Sequence, residues 1–222
     1  MMRPVTGFLG GLMLGVLMPG VSISAGAAQL TVRIVDQHGA PVADAVVTAI
    51  PDDATHPPAK PRHATTKAID QKNLMFVPYL EVFRPGDSVV FHNSDSTRHH
   101  VYSFSPVKSF EFVLAPGQSS APVVLDKSGA VAVGCNIHDH MIAWLYISDA
   151  TWIAHSGARG EVGFEALPKG GYSVHVWQPR LRPNETDIVK SVTLDGGTDS
   201  RTITFKLTLL PDRRMQSDRE QY

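Results

Sequence analysis

Apolar and polar residues alternate along most of the chain, in short stretches separated by turn-forming residues. In the stretch QLTVRIVD, for example, Leu30, Val32 and Ile34 occupy every second position. A period of two residues places one side of a β-strand in a core, whereas an amphipathic helix needs a sustained period of 3.6 residues and capping residues. No stretch of the sequence has that helical pattern. The alternation therefore predicts an all-β protein.

The strand-like stretches fall into three blocks. Residues 51–67 are rich in Pro, Asp, Thr, His and Ala and lack periodicity, which predicts a linker or long loop after the first block. The second block runs from about Ala68 to Asp149, and the third follows it. The predicted strands of these two blocks are LMFVPYLEVF, DSVVFHN, HHVYSFS, SFEFVL, APVVLD, GAVAVGC, MIAWLYIS, EVGFEAL, YSVHVWQP and two around Asp195-Gly196-Gly197. Short strands at this spacing favour a β-sandwich or barrel.

The two ends of the chain carry different patterns. One positive charge at Arg3 precedes an apolar, Gly-rich stretch at 5–21 and a run of small residues that ends at Ala28. This order is typical of a secretory signal, so we predict a signal peptide over 1–28 and export to the bacterial periplasm. A membrane anchor is the alternative, but the stretch is short and interrupted by Gly and Pro. No later stretch predicts a membrane span. The charged, aperiodic residues 211–222 predict a flexible tail.

Charge and cysteine content narrow the possible functions. The chain has 20 Lys and Arg residues against 21 Asp and Glu, with a net charge of −1. The basic residues are scattered and form no cluster in the sequence, so the sequence does not predict a nucleic-acid-binding surface. Cys135 is the single cysteine. In an oxidising compartment one cysteine cannot form an internal disulfide. Its thiol is therefore buried, paired between chains or bound to a ligand.

The surroundings of Cys135 favour a bound metal ion. It ends the predicted strand GAVAVGC, in which alternation places Val131, Val133 and Cys135 on one face. The short loop NIHDHM follows, and it brings His138 and Met141 within reach of the same point.

A further ligand must come from elsewhere in the chain, and HNSDSTRHHV offers His99 or His100. Two imidazoles and a thiolate with a distant methionine thioether form the donor set of an electron-transfer copper site. The residues alone leave the choice between His99 and His100 open. His92 and His140 are predicted to lie on the surface or at the lip of the site.

Three other interpretations of Cys135 compete with copper. Zinc accepts one cysteine and two histidines, but methionine is a poor zinc ligand and no carboxylate stands in an obvious general-base position. A nucleophilic cysteine with His138 as base would need a third group and an oxyanion site, which the sequence does not offer. A buried cysteine without function is the third. We therefore predict a protein that is not an enzyme and that holds copper.

The pattern Cys135-x-x-His138-x-x-Met141 resembles the ligand loop of the plastocyanin- and amicyanin-like cupredoxins in its shortest form. VVFHNSDSTRHHV is similar to their segment that carries the first histidine ligand. The resemblance implies a Greek-key β-sandwich over 69–149 and one type 1 site for Cu(I) and Cu(II). Its ligands would be His99, Cys135, His138 and Met141. His100 stands where those proteins usually carry asparagine, which keeps the alternative ligand open.

The flanking blocks resemble another family. LTVRIVDQHGAPVADAVVTA and GARGEVGFEALPKGGYSVHVW are similar to the two halves of a carboxypeptidase regulatory-like, or transthyretin-like, β-sandwich. The resemblance implies a second small sandwich with halves at 29–60 and 150–210, split around the cupredoxin block. The whole arrangement resembles bacterial exported proteins labelled methylamine utilisation proteins, although nothing in the chain identifies an electron donor.

These features predict a periplasmic carrier of single electrons between redox proteins, such as a dehydrogenase or a cytochrome. In the cupredoxins the histidine of this loop usually lies at the exposed end, which makes His138 the expected exit for the electron. The alternative is a protein that binds or delivers copper, or a β-sandwich module that binds a glycan or another protein.

Overall fold

The structure is a computed structural model, and it describes residues 28–53, 62–183, 185, 188–212 and 214. These residues form β-strands joined by turns and loops, which confirms the all-β prediction. The strands are β1 Ala28–Val35, β2 Val46–Pro51, β3 Thr66–Lys72, β4 Met75–Val77, β5 Leu80–Phe83, β6 Asp87–Asn93, β7 His99–Ser105, β8 Lys108–Leu114, β9 Val123–Leu125, β10 Gly129–Cys135, β11 Ile142–Ile147, β12 Trp152–His155, β13 Glu161–Leu167, β14 Gly170–Trp177, β15 Ile188–Leu194 and β16 Ser200–Lys206. Within the described residues, no helix is long and apolar enough to cross a membrane.

Strands from both ends of the chain build the first sandwich. One sheet has the order β13-β1-β16, in which β1 runs antiparallel to β13 and parallel to β16. The other sheet has the order β12-β2-β14-β15. Alternate residues of both sheets bury apolar side chains in one common core. That core includes Leu30, Val32, Ile34, Val47, Val162, Val174, Leu194 and Phe205.

The strands between β2 and β12 build the second sandwich. A five-stranded sheet with the order β5-β11-β10-β7-β8 faces a four-stranded sheet with the order β4-β3-β6-β9. Their inner faces share a separate core, which includes Ile69, Phe76, Phe83, Phe91, Val101, Leu125, Val131, Val133 and Leu145. Three phenylalanine rings, Phe91, Phe110 and Phe112, pack with centroids 5.5 to 5.7 Å apart.

The strand predicted over LMFVPYLEVF is two strands in different sheets. β4 pairs with β3 in the four-stranded sheet, whereas β5 pairs with β11 in the five-stranded sheet. Pro78 lies between them and cannot donate a backbone hydrogen bond, so it suits a crossing between sheets. Two further strands were not predicted from the sequence. β3 begins at Thr66, inside the stretch predicted as a linker, and Trp152–His155 forms β12.

The structure describes only a few residues inside the two predicted terminal segments, and both segments stay predictions. Residues 1–27 lie outside the described residues, but Ala28, the last residue of the predicted signal peptide, is fully buried in β1 and pairs with Leu167. In the predicted flexible tail, Arg214 binds Asp212 at 2.6 Å and lies 3.6 Å from the centroid of the Tyr79 ring. These two tail residues are held because a paired guanidinium stacked on an aromatic ring is stabilised in place.

The two sandwiches contact each other through aromatic and arginine side chains. The Trp177 ring of β14 packs on Trp144 and Tyr146 of β11, with centroid distances of 5.4 and 5.0 Å. Arg84 of the second sandwich donates hydrogen bonds to the carbonyl oxygens of Ser148, Ala150 and Thr151, in the connection to the first. Trp177 therefore covers the outer face of the sheet that contains β10 and β11.

Asp87 is a buried charge at the start of β6 and is only 2% exposed. Its carboxylate accepts hydrogen bonds from the Arg62 guanidinium at 2.6 Å, from the Thr65 amide at 2.8 Å and from the Arg84 amide at 2.7 Å. Burial alone would raise the pKa of Asp87, but these hydrogen bonds outweigh it and hold the pKa well below the ordinary 3.8. The charged form is therefore the stable form in the folded protein.

We predict that Asp87→Asn lowers the free energy of unfolding by roughly 1.5–3 kcal/mol at neutral pH, because hydrogen bonds to a charged group are lost. Since the pKa is depressed by folding, the stabilisation is present above the ordinary value of 3.8 and is lost as the pH falls below it. Urea unfolding across this pH range measures the difference.

The control is Asp126→Asn, because the Asp126 side chain is 61% exposed and its oxygen lies 3.6 Å from Lys108. Loss of that exposed surface pair should leave the free energy of unfolding close to the wild-type value. A difference between wild type and Asp87→Asn that stays constant down to acid pH would contradict the role given to the Asp87 charge.

Candidate metal centre

The pairing of β7 with β10 brings two parts of the chain together. The strands are antiparallel, and Cys135 at the end of β10 is opposite Val101 near the start of β7. His99, Val101 and Ser103 alternate inward along β7 and are fully buried, while His100 lies on the other side of the strand. His99 and Cys135 consequently face the same end of the core.

The loop between β10 and β11 folds back over this end. The Met141 amide donates to the His138 carbonyl at 3.0 Å, and the Cys135 amide donates to the Met141 carbonyl at 3.3 Å. The Asn136 amide donates to the His100 carbonyl at 3.0 Å, which ties the loop to β7. This tight turn directs His138 toward Cys135.

The side chains of His99, Cys135 and His138 form a compact cluster. The Cys135 Sγ atom lies 3.7 Å from His99 Nδ1 and 4.0 Å from His138 Nδ1. All three candidate ligand atoms lie within 4.8 Å of one another. Among the described residues, no other group of three or more His, Cys, Asp and Glu side chains could hold a metal ion.

These distances fit a metal ion. Bonds of about 2.0 Å to imidazole nitrogen and 2.3 Å to thiolate sulfur, at an angle of about 120°, place the two ligand atoms about 3.7 Å apart. The observed separations between sulfur and nitrogen are close to that value. One thiolate and two imidazoles in this arrangement match the trigonal donor set of a type 1 copper site, so the residues fit one copper ion.

His99 has a defined orientation, because its second nitrogen has its own partner. His99 Nε2 lies 2.9 Å from Asp95 Oδ2, while Nδ1 faces Cys135. When a histidine donates from one ring nitrogen to a carboxylate, the other nitrogen carries the lone pair. Nδ1 of His99 is therefore the nitrogen available to a metal.

Met141 lies beside the cluster and is only 1% exposed. It belongs to the same core cluster as Cys135, and its backbone closes the ligand loop. The position agrees with the sequence pattern. Its role as the axial ligand stays a prediction.

The other histidines near the cluster have different partners. His100 Nε2 lies 2.7 Å from Glu111 Oε1, and its Nδ1 lies 3.4 Å from the side-chain nitrogen Nδ2 of Asn136, so the structure brings His99, not His100, to Cys135. His92 Nδ1 contacts Ser119 Oγ at 2.9 Å. His140 Nε2 lies 2.9 Å from the Leu74 carbonyl oxygen.

Sequence reasoning missed two residues that shape the loop before β7. Asn93 is fully buried, and its side-chain nitrogen donates to the carbonyls of Thr97 and Leu114 at 2.8 and 3.0 Å. Asp95 is the partner of His99 described above. A signal was present in the HNSDSTRHHV stretch, where a carboxylate precedes a candidate ligand by four residues. Nothing in the local pattern shows which way that loop turns.

No protein-family model and no curated protein matches the sequence. Among solved structures, a purple cupredoxin from Nitrosopumilus maritimus is 19% identical with a TM-score of 0.33, over 36% of this chain and 98% of that chain. A copper(I) form of an amicyanin variant is 15% identical with a TM-score of 0.34, over 46% and 99%. The copper-containing nitrite reductase NirK from Thermus scotoductus SA-01 is 19% identical with a TM-score of 0.34, over 45% and 25%. Each likeness covers less than half of this chain, so the chemistry of the site is inferred from its own side chains.

We predict that His99→Ala weakens copper binding roughly 100-fold or more, because one of few protein ligands to the metal is lost. His100→Ala is the matched control, since it removes the neighbouring imidazole on the outer side of the same strand. It should change the affinity by no more than a few-fold. Competition titration with a copper chelator measures both. Equal losses in the two variants would contradict the placement of His99.

Proposed function

We propose that this protein is a periplasmic type 1 copper protein that carries single electrons between redox partner proteins. The observation that carries the proposal is the buried Sγ atom of Cys135 with the Nδ1 atoms of His99 and His138 at 3.7 and 4.0 Å. Thiolate ligands favour Cu(I) and imidazoles accept Cu(II), so the same side chains serve both oxidation states.

A copper ion held by these residues supplies one-electron redox chemistry. The protein's contribution is to keep the ligands still. Cys135 is fixed by the hydrogen bonds between β10 and β7, and His99 is fixed by its own strand and by Asp95. Side chains locked by packing and hydrogen bonds stay near one geometry, which limits the rearrangement that accompanies an electron transfer.

His138 is the proposed route for the electron. His99 is fully buried, whereas His138 is half-buried and its loop neighbour Ile137 is 52% exposed. The exposed, apolar end of the site is therefore at this loop. A partner that docked there would approach the His138 ring more closely than any other ligand.

We infer that the two cores correspond to two domains. Residues 69–149 would form the cupredoxin, and 29–60 with 150–210 would form the carboxypeptidase regulatory-like sandwich split around it. The separate buried clusters support this division, since each contains residues from two facing sheets. Export to the periplasm is proposed from the signal-like segment of the sequence.

The competing functions have less support from the described residues. A protein that delivers copper needs a site from which the ion leaves readily. His99 and Cys135 are buried, with exposed fractions of 0% and 3%, which favours a retained ion. The Trp177 ring, an aromatic side chain of the first sandwich, packs on Trp144 and Tyr146 at the contact between the two sandwiches. An enzyme would need an open coordination position, which the proposed Met141 ligand would fill.

We expect an intense absorption band in the visible range on addition of Cu(II), because the Cys135 thiolate transfers charge to the metal. The copper-loaded protein should also give a fast, reversible one-electron wave in voltammetry. Cys135→Ser is the control, since it keeps the size of the side chain but removes the sulfur. A colourless copper adduct of the wild type would refute the proposal, and a coloured adduct without a reversible wave would favour copper delivery.

A further inference from the structure

Asp95 lies at the centre of a hydrogen-bond network around the candidate metal centre. Its Oδ2 atom lies 2.9 Å from His99 Nε2, and the same carboxylate accepts hydrogen bonds from the amides of Asn73 at 2.6 Å and Leu74 at 3.1 Å. The amide of Asp95 donates to Asn93 Oδ1 at 3.0 Å. The Asp95 carboxylate thus accepts hydrogen bonds from two backbone amides and from the imidazole of His99.

The turn between β3 and β4 provides the fixed side of this network. Asn73 and Leu74 have φ angles of 55° and 56°, in the left-handed region. That conformation is uncommon for a residue such as leucine and is held only where the surroundings require it. Here it contributes to a turn in which two successive amides meet one carboxylate. The hydrogen bonds to Asp95 offset the conformational cost.

The same turn also holds the loop that carries the other ligands. The Leu74 carbonyl oxygen lies 2.9 Å from Nε2 of His140, and His140 belongs to the loop between Cys135 and Met141. Leu74 therefore contacts both sides of the metal centre, through its amide toward Asp95 and His99 and through its carbonyl toward the ligand loop. Leu74 itself is not one of the proposed metal ligands.

We propose that Asp95 is a positioning residue that fixes His99 with Nδ1 toward the metal and, through its negative charge, favours Cu(II) over Cu(I). This inference rests on the proposed function. A carboxylate that accepts the second N–H of a ligating histidine fixes the tautomer and the ring orientation and raises the basicity of the ligand. A more basic imidazole next to a carboxylate that is only 12% exposed stabilises the more positive state of the ion. The network thus tunes both affinity and reduction potential.

The test is Asp95→Asn, measured by copper affinity in both oxidation states and by the midpoint potential. Loss of such a carboxylate partner weakens metal binding by about 10–100-fold. We expect most of the loss in Cu(II) affinity and less in Cu(I) affinity, so that the potential rises. Each tenfold preferential loss of Cu(II) affinity corresponds to a rise of about 59 mV. The visible band should remain, because Cys135 is untouched.

Glu111→Gln is the matched control, because Glu111 Oε1 lies 2.7 Å from Nε2 of His100. It removes the same kind of carboxylate from the imidazole that is adjacent in sequence but faces away from the site. Affinity and potential should stay at the wild-type values. Unchanged affinity and potential in folded Asp95→Asn, or equal changes in both variants, would overturn the role of Asp95.

A measurement on the wild-type protein decides the question if Asp95→Asn does not fold. Nitrogen-15 NMR of the Cu(I)-loaded protein should find the His99 proton on Nε2, slow to exchange with solvent. A metal-bound Nε2, or a rapidly exchanging proton there, would overturn the inference. Absence of the thiolate-to-copper band in the wild type is a different result: it defeats the proposed function and, with it, this inference.

Discussion

The backbone pairing of β7 with β10 is the constraint on which the candidate site depends. It places Cys135 opposite Val101, and strand alternation then turns His99 inward beside the cysteine. A shift of β7 by one residue would turn His99 to the outer face and His100 toward the core. The core of the second sandwich resists such a shift, because Val101 would leave it together with His99.

The candidate ligand side chains are held by hydrogen bonds within the protein. The short loop after Cys135 is closed by its own backbone hydrogen bonds and tied to β7 through Asn136. The β3–β4 turn supports the site from the facing sheet through Asp95 and His140. Both sheets of the second sandwich therefore contribute to one site, and contacts with the first sandwich cover the outer face of β11.

Local patterns predicted the parts of this arrangement that depend on nearby residues. Alternation identified β7, β10 and β11 and the inward parity of Cys135, and the spacing of His138 after Cys135 indicated that the two side chains lie close together. The choice between His99 and His100 needed the register between two strands, which one strand does not reveal. The crossing of the chain at Pro78, the contact of Asp95 with His99 and the packing of Trp177 on Trp144 all join residues through folded loops or distant strands. Such contacts leave no periodic signal.

X-ray absorption at the copper edge of the loaded wild-type protein identifies the atoms bound to the metal. We expect one short bond to sulfur and two bonds to imidazole nitrogen, with the short sulfur bond lost in Cys135→Ser. If only nitrogen and oxygen atoms surround the copper ion, Cys135 does not bind it and the protein is not a type 1 copper protein.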